Sequence, residues 1–192
     1  MRKGFSLVEL LVVLGISVML TGIAIVYSGI GQNQVALSVE TAKLAQSILR
    51  AKNLAIATYN EAPGTCGYGV SIDIANNEYS LFSYNPTGAP PCPTVASSTA
   101  AGISSGEEGQ YSATSWNVPL ATGVHIVSGG AGNDLAVVVF YPPDPATLLS
   151  RTGSGGAFMP SASAVPLTVT LRTTDGSMTS VISVSPAGQV SF

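Results

Sequence analysis

Met1-Arg2-Lys3-Gly4-Phe5-Ser6-Leu7-Val8-Glu9-Leu10-Leu11 opens the chain and leads into an uncharged stretch that runs to Val39. Glu9 is the informative residue, a lone carboxylate near the head of a segment long enough to cross a bilayer. About 20 apolar residues suffice for that, and Leu10 to Val26 with its flanks supplies them. A charge in hydrocarbon is costly and is retained where it is paired or functional. No Lys or Arg lies between Glu9 and Lys43, so its partner must come from elsewhere.

Arg2 and Lys3 before an apolar run also fit the start of a secretory signal. The basic leader is only four residues, however, and the apolar run outlasts an ordinary signal core, so the segment reads as a retained helix. The positive-inside rule places its basic start on the cytoplasmic side.

Gly4-Phe5-Ser6-Leu7-Val8-Glu9-Leu10-Leu11 resembles the cleavage and methylation motif of type IV pilins and type II secretion pseudopilins. The resemblance implies cutting by prepilin peptidase between Gly4 and Phe5, with N-methylation of the new amino terminus at Phe5. It also implies an assembly role for Glu9, whose carboxylate would pair with the Phe5 amine of a neighbouring subunit in a helical filament. The physics is consistent: a carboxylate and an ammonium, each costly alone in a dry environment, offset one another when packed together.

Composition narrows what lies beyond the anchor. The chain has 192 residues, of which 9% are charged, with a formal charge of −3. That length allows one domain past the helix, and abundant Gly, Ser, Thr, Ala and Pro suit an exported, β-rich domain. Without Arg2 and Lys3, five basic side chains face ten acidic ones, a balance near −5. Nucleic-acid binding draws on a basic patch or stripe. Lys43, Arg50, Lys52, Arg151 and Arg172 are too few for one, which argues against a nucleic-acid partner.

Cys66 and Cys92 both follow the apolar segment. In an oxidising compartment a disulfide is the default for such a pair, worth roughly 3 kcal/mol by the chain-entropy estimate. Two buried free thiols are the plain alternative. A metal site is not expected, because the spacing is wide and His125 is the single histidine. Many major pilins bracket a C-terminal loop with a disulfide; the last hundred residues here hold no Cys, a departure from that pattern.

From Val35 the helix turns amphipathic, with Leu37, Leu44, Ile48 and Ala55 on one stripe, flanked by Ala45, Leu49 and Ile56. Glu40, Lys43, Ser47 and Arg50 fall on another side, and Glu40 can pair with Lys43 across a turn. One helix from Phe5 to about Thr58 is expected, with bending or local melting at Gly29 and Gly31. Gly15 and Gly22 suit close packing between helices.

Past Pro63-Gly64 the period becomes two. Strands are expected at Gly67–Asp73 and Glu78–Tyr84 around Ala75-Asn76-Asn77, then at Gly123–Val127, Leu135–Tyr141, Leu167–Arg172, Met178–Val184 and Gln189–Phe192. Asn85 to about Trp116 and Pro142 to Pro166 read as loop regions. The fold class is α+β, a pilin-like long N-terminal helix packed on an antiparallel β-sheet domain. Its parts are a leader (1–4), a transmembrane or filament-core half of the helix (5–30), an amphipathic half (31–58) and an extracytoplasmic globular domain (59–192).

Leu44-Ala45-Gln46-Ser47-Ile48-Leu49-Arg50-Ala51-Lys52-Asn53-Leu54-Ala55 resembles the helix end of the GspH/FimT-like minor pilins and minor pseudopilins. Ile182-Ser183-Val184-Ser185-Pro186-Ala187-Gly188-Gln189-Val190 is similar to their terminal hairpin. That family acts by assembly, not catalysis.

Catalytic patterns are absent from the sequence. His125 sits mid-strand without a serine elbow; Asn133-Asp134 and Asp144 lack the spacing of a calcium loop. Glu107-Glu108 reads as a solvated turn, and Gly153-Ser154-Gly155-Gly156 has no following Lys. The expectation is a non-enzymatic structural subunit, without cofactor, of a type IV pilus or type II secretion pseudopilus. Its implied partners are other pilin or pseudopilin subunits, the prepilin peptidase/methyltransferase, the inner-membrane assembly platform, and the lipid bilayer before assembly. The implied location is the bacterial inner membrane, then the extracytoplasmic filament. The alternatives are a major pilin, or a pilin-anchored adhesin or DNA-uptake receptor.

Overall fold

A computed structural model describes residues 6–57, 66–84, 116–130, 132–142, 146–153, 158–159 and 165–192. Helix α1 is unbroken over Leu7–Ala57, 51 residues or about 75 Å at 1.5 Å per residue. The melting expected at Gly29 and Gly31 does not occur: the helical assignment passes through both. Backbone hydrogen bonding sustains a helix without side chains, and the roughly 1 kcal/mol cost of each Gly is spread over a long cooperative run.

Ten strands follow among the described residues: β1 (Gly67–Asp73), β2 (Glu78–Tyr84), β3 (Trp116–Pro119), β4 (Val124–Val127), β5 (Leu135–Tyr141), β6 (Ala146–Arg151), β7 (Phe158–Met159), β8 (Leu167–Thr173), β9 (Thr179–Val184) and β10 (Val190–Ser191). They form a six-stranded sheet in the order β3-β2-β1-β5-β6-β7 and a four-stranded sheet in the order β10-β9-β8-β4. Every pairing within them is antiparallel.

The amphipathic half of α1 packs on both sheets. Leu37, Leu44, Ala45, Ile48, Ala51 and Ala55 share a core with Val70, Leu81, Val124, Phe140, Leu167, Leu171 and Ile182. Leu49 and Ile56, expected beside that stripe, are exposed instead. Glu40 was assigned to the polar side but is 2% exposed; the sheets cover a wider arc of the helix than its apolar residues mark out.

The large sheet is buried on its other face too, where Cys66, Phe82, Tyr84, Val137, Val139, Tyr141 and Leu148 form a second cluster. Tyr84 and Tyr141 meet there edge-on at 5.5 Å. Gly69 is required at the crossing of β1 and β5: a Cβ would come within 2.5 Å of the Val138 carbonyl oxygen and 2.6 Å of the Phe82 ring.

Two strands fall in the stretch read as loop from Pro142 to Pro166, namely β6 and β7. Thr147-Leu148-Leu149-Ser150 is buried on both faces, with Leu148 in one cluster and Leu149 in the other. A strand covered on both sides has no alternation to betray it. Strand β3 begins at Trp116, where the first loop region was expected to end.

The two sheets are joined by side chains at turns. Asn77, at φ 56°, closes the β1–β2 turn, donates from Nδ2 to the Val124 carbonyl at 2.9 Å and accepts from the Ile126 amide at 2.8 Å. Asp134 lies next to β5 and accepts from the Ser128 hydroxyl and from the Gly129 amide at 2.8 Å. Its own carbonyl takes the Thr152 amide at 2.8 Å.

Candidate assembly and processing site

From Leu7 to Ile25, α1 has no described residue packed on it. Every Leu, Val, Ile and Met from Leu7 to Ile25 is at least 52% exposed, and these 19 residues are long and apolar enough to cross a membrane. The hydroxyls within the span are satisfied inside it. Ser17 donates to the Val13 carbonyl and Thr21 to the Ser17 carbonyl, each at 2.8 Å. Such back-bonding lets hydroxyls enter hydrocarbon without an unmet donor. No side chain within 4 Å meets a Cβ placed at Gly15 or Gly22, so both glycines leave open surface.

Glu9 sits in the first turn, where a carboxylate is favoured by the helix dipole. Within a single subunit the carboxylate has a neighbour: Glu9 Oε2 accepts from the Ser6 amide at 3.4 Å, and the Glu9 amide donates to Ser6 Oγ at 3.2 Å. This reciprocal pair is a capping box. Its signal, Ser-x-x-Glu ahead of an apolar run, stands at Ser6 to Glu9. The box is exposed and its carboxylate bond long, so the second carboxylate oxygen stays open to another donor. Gly4 and Phe5, the expected cleavage and methylation positions, lie outside the described residues.

Cys66 enters β1 in the second apolar cluster, is buried, and is held in a disulfide. Cys92 lies outside the described residues. His125 is exposed on β4. Asp134 serves the turn geometry given above, Asp144 and Glu107-Glu108 fall outside the described residues, and no group of three or more His, Cys, Asp or Glu able to hold a metal occurs among the described residues.

Two polar features sit where α1 meets the sheets. Lys43 Nζ lies 2.7 Å from Glu40 Oε1, and this hydrogen bond and charge raise the Lys43 pKa. Glu40 Oε2 is buried without a hydrogen-bond partner. Burial pushes the neighbouring Tyr79 phenol up as well. At the end of the domain nearest the apolar span, Asn33 Nδ2 donates to Asp175 Oδ2 at 3.2 Å. The Thr173 hydroxyl, then the amide and hydroxyl of Ser177, hold the Asp175 carboxyl well below the usual carboxylate range.

Residues 1–25 match the family model described as the prokaryotic N-terminal methylation motif. No curated protein and no solved structure matches the chain. Residues 1–25 therefore carry the prokaryotic N-terminal methylation motif, the prepilin motif of type IV pilins and pseudopilins.

Proposed function

We propose that the chain is a structural subunit of a type IV pilus or type II secretion pseudopilus, in the GspH/FimT-like minor class. The observation that carries this is the contrast along α1: an apolar half uncovered on every side, headed by Glu9, continuous with a half already packed on its own sheets. Prepilin peptidase cuts between Gly4 and Phe5, and Phe5 is N-methylated. Before assembly the helix rests in the inner membrane with its N-terminus cytoplasmic and residues 59–192 outside. Assembly exchanges lipid for the helices of other subunits. Glu9 then takes the Phe5 amine of a neighbour, replacing or supplementing the long bond from Ser6. The open faces at Gly15 and Gly22 allow close approach between helices. The minor-subunit assignment is supported by the Leu44–Ala55 helix end and the Ile182–Val190 hairpin. Cys66 and Cys92 form the disulfide, which fastens the start of β1 to the segment after β2.

Glu9→Val tests the pairing. Membrane insertion should be unchanged, since the span becomes more apolar, while recovery of the subunit in filaments should fall at least tenfold. Normal recovery of the variant would contradict the role given to Glu9. A bulky residue at Gly4 should block maturation, seen as retention of the leader by mass.

A further inference from the structure

The β8–β9 turn lies at the end of the domain nearest the apolar span. Asn33 of α1 bonds Asp175 in that turn, whereas at the opposite end of the small sheet Lys52 Nζ donates to the Gly188 carbonyl at 3.1 Å. Strands β8 and β9 therefore run along α1, with residues 174–177 pointing toward the span. Asn33 is eight residues, or about 12 Å along the axis, beyond Ile25, as far as the span is traced among the described residues, and three residues beyond the half expected from the sequence to end at residue 30. Lipid headgroups occupy about 5–8 Å on each side of the hydrocarbon core. The gap that remains is a few ångströms, within reach of a long side chain, and the tilt of about 20° usual for spanning helices changes it by a similar amount.

Facing outward, this rim carries an imidazole and a guanidinium. His125 on β4 and Arg172 on β8 are directly paired across the strands. Both are exposed, on the sheet face away from α1. Neither forms an ion pair with another described residue. With Val127, Thr173, Thr174 and Asp175 they line a shallow depression of about 350 Å³. Arg172 Nη2 donates to the Gly176 carbonyl at 3.3 Å. This folds the guanidinium over the turn at Gly176, whose φ of +70° favours glycine.

Acidic groups share the rim. Asp175 is engaged by Thr173, Ser177 and Asn33. Asp73 and Glu78 flank the adjacent β1–β2 turn, which Asn77 ties to β4. Mixed signs at one edge do not generate long-range attraction to an anionic polymer. They do complement a phospholipid headgroup at contact distance, where a guanidinium and an imidazole can donate to the two free oxygens of one phosphodiester.

We propose that in the unassembled subunit this rim seats on the bilayer surface, with His125 and Arg172 binding a lipid phosphodiester. The inference rests on the membrane-inserted state proposed above, and makes the headgroup contact a hold that entry into the filament has to break.

The test uses the full chain in phospholipid nanodiscs, with one nitroxide label introduced at a time by Thr174→Cys, Ser191→Cys or Val18→Cys. Collision with lipid-soluble oxygen and with a water-soluble nickel chelate reports depth. The expected result is label 18 in hydrocarbon, label 174 in the headgroup layer and label 191 in water. The pair His125→Gln and Arg172→Gln should move label 174 several-fold toward the water-exposed signature without moving label 18. The proposal is overturned if label 174 matches label 191 while label 18 is in hydrocarbon, or if the double substitution leaves label 174 unmoved. Label 18 in water would instead overturn the membrane state itself. In the isotope-labelled chain, saturation of the His125 ring resonances by millimolar inorganic phosphate, at no loss of headgroup contact at label 174, would assign a soluble anion and overturn the lipid assignment.

Discussion

The two halves of α1 share one backbone geometry and differ in everything that surrounds them. From Leu7 to Ile25 apolar side chains point all round and none is covered; from Leu37 to Ala55 apolar and small residues recur at three- and four-residue spacing and are buried against two sheets. Covering a Leu or Val is worth about 1.5–3 kcal/mol. The second half has drawn that stabilisation from its own chain, and the first half has yet to draw it from a bilayer or from other subunits. The residues that stabilise the domain and the uncovered apolar surface therefore lie in separate segments of one helix, and substitutions can separate them.

The largest expected separation is at Leu44. Leu44→Ala removes a fully buried side chain and should lower domain stability by about 2–5 kcal/mol, whereas Leu14→Ala in the uncovered half should leave the melting of the detergent-solubilised chain unchanged. Equal losses from both would erase the distinction between the halves. Glu40 offers a finer probe within the covered half. Its unpartnered oxygen is a standing cost, and replacing a buried ionic group by an apolar one of similar size is often neutral or stabilising by about 1–4 kcal/mol. Glu40→Met should therefore hold or raise the denaturation midpoint, and a clear fall would mean that the buried carboxylate is better satisfied than its geometry indicates.

How far the sequence disclosed this depended on covering. The strands β1, β2, β8 and β9 were legible because period-two patterns were bounded by recognisable turns, as at Asn76-Asn77 and Asp175-Gly176, and β5 because Leu135–Tyr141 is a continuous apolar run. Strand β6 was not, because Leu148 and Leu149 face opposite cores and erase alternation. Glu40 misled for a related reason: a charged residue on a helix reads as solvent-facing unless the width of the covering sheet is known. At the assembly head the span and Glu9 were legible. The capping box was missed, since a charge in an apolar run directs attention to cations and away from backbone donors.

Ser6 sharpens the comparison at the other end. Ser6→Ala removes the cap and should cost about 1 kcal/mol locally, visible as faster hydrogen exchange in the first turn with no change in domain melting. A coupled loss of domain stability would show that the halves are not independent.

The smallest effect concerns pH at the Asn33–Asp175 junction. The Asp175 pKa is lowered in the folded chain relative to about 3.9 unfolded. Its stabilisation is thus present above that unfolded value and is lost as pH falls through the folded one. Asp175→Asn should loosen the turn at neutral pH, and the difference from the parent chain should shrink in strong acid. A difference that grows on acidification would refute the assignment.

The central claim is that this helix is processed at its head and used to build a filament. Intact mass with N-terminal fragmentation, on protein recovered from native membranes and sheared filaments, tests it most directly. A chain beginning at N-methylated Phe5, present in the filament fraction, is the expected result. A chain retaining Met1-Arg2-Lys3-Gly4 in cells with an active prepilin peptidase, and confined to membranes, would contradict it.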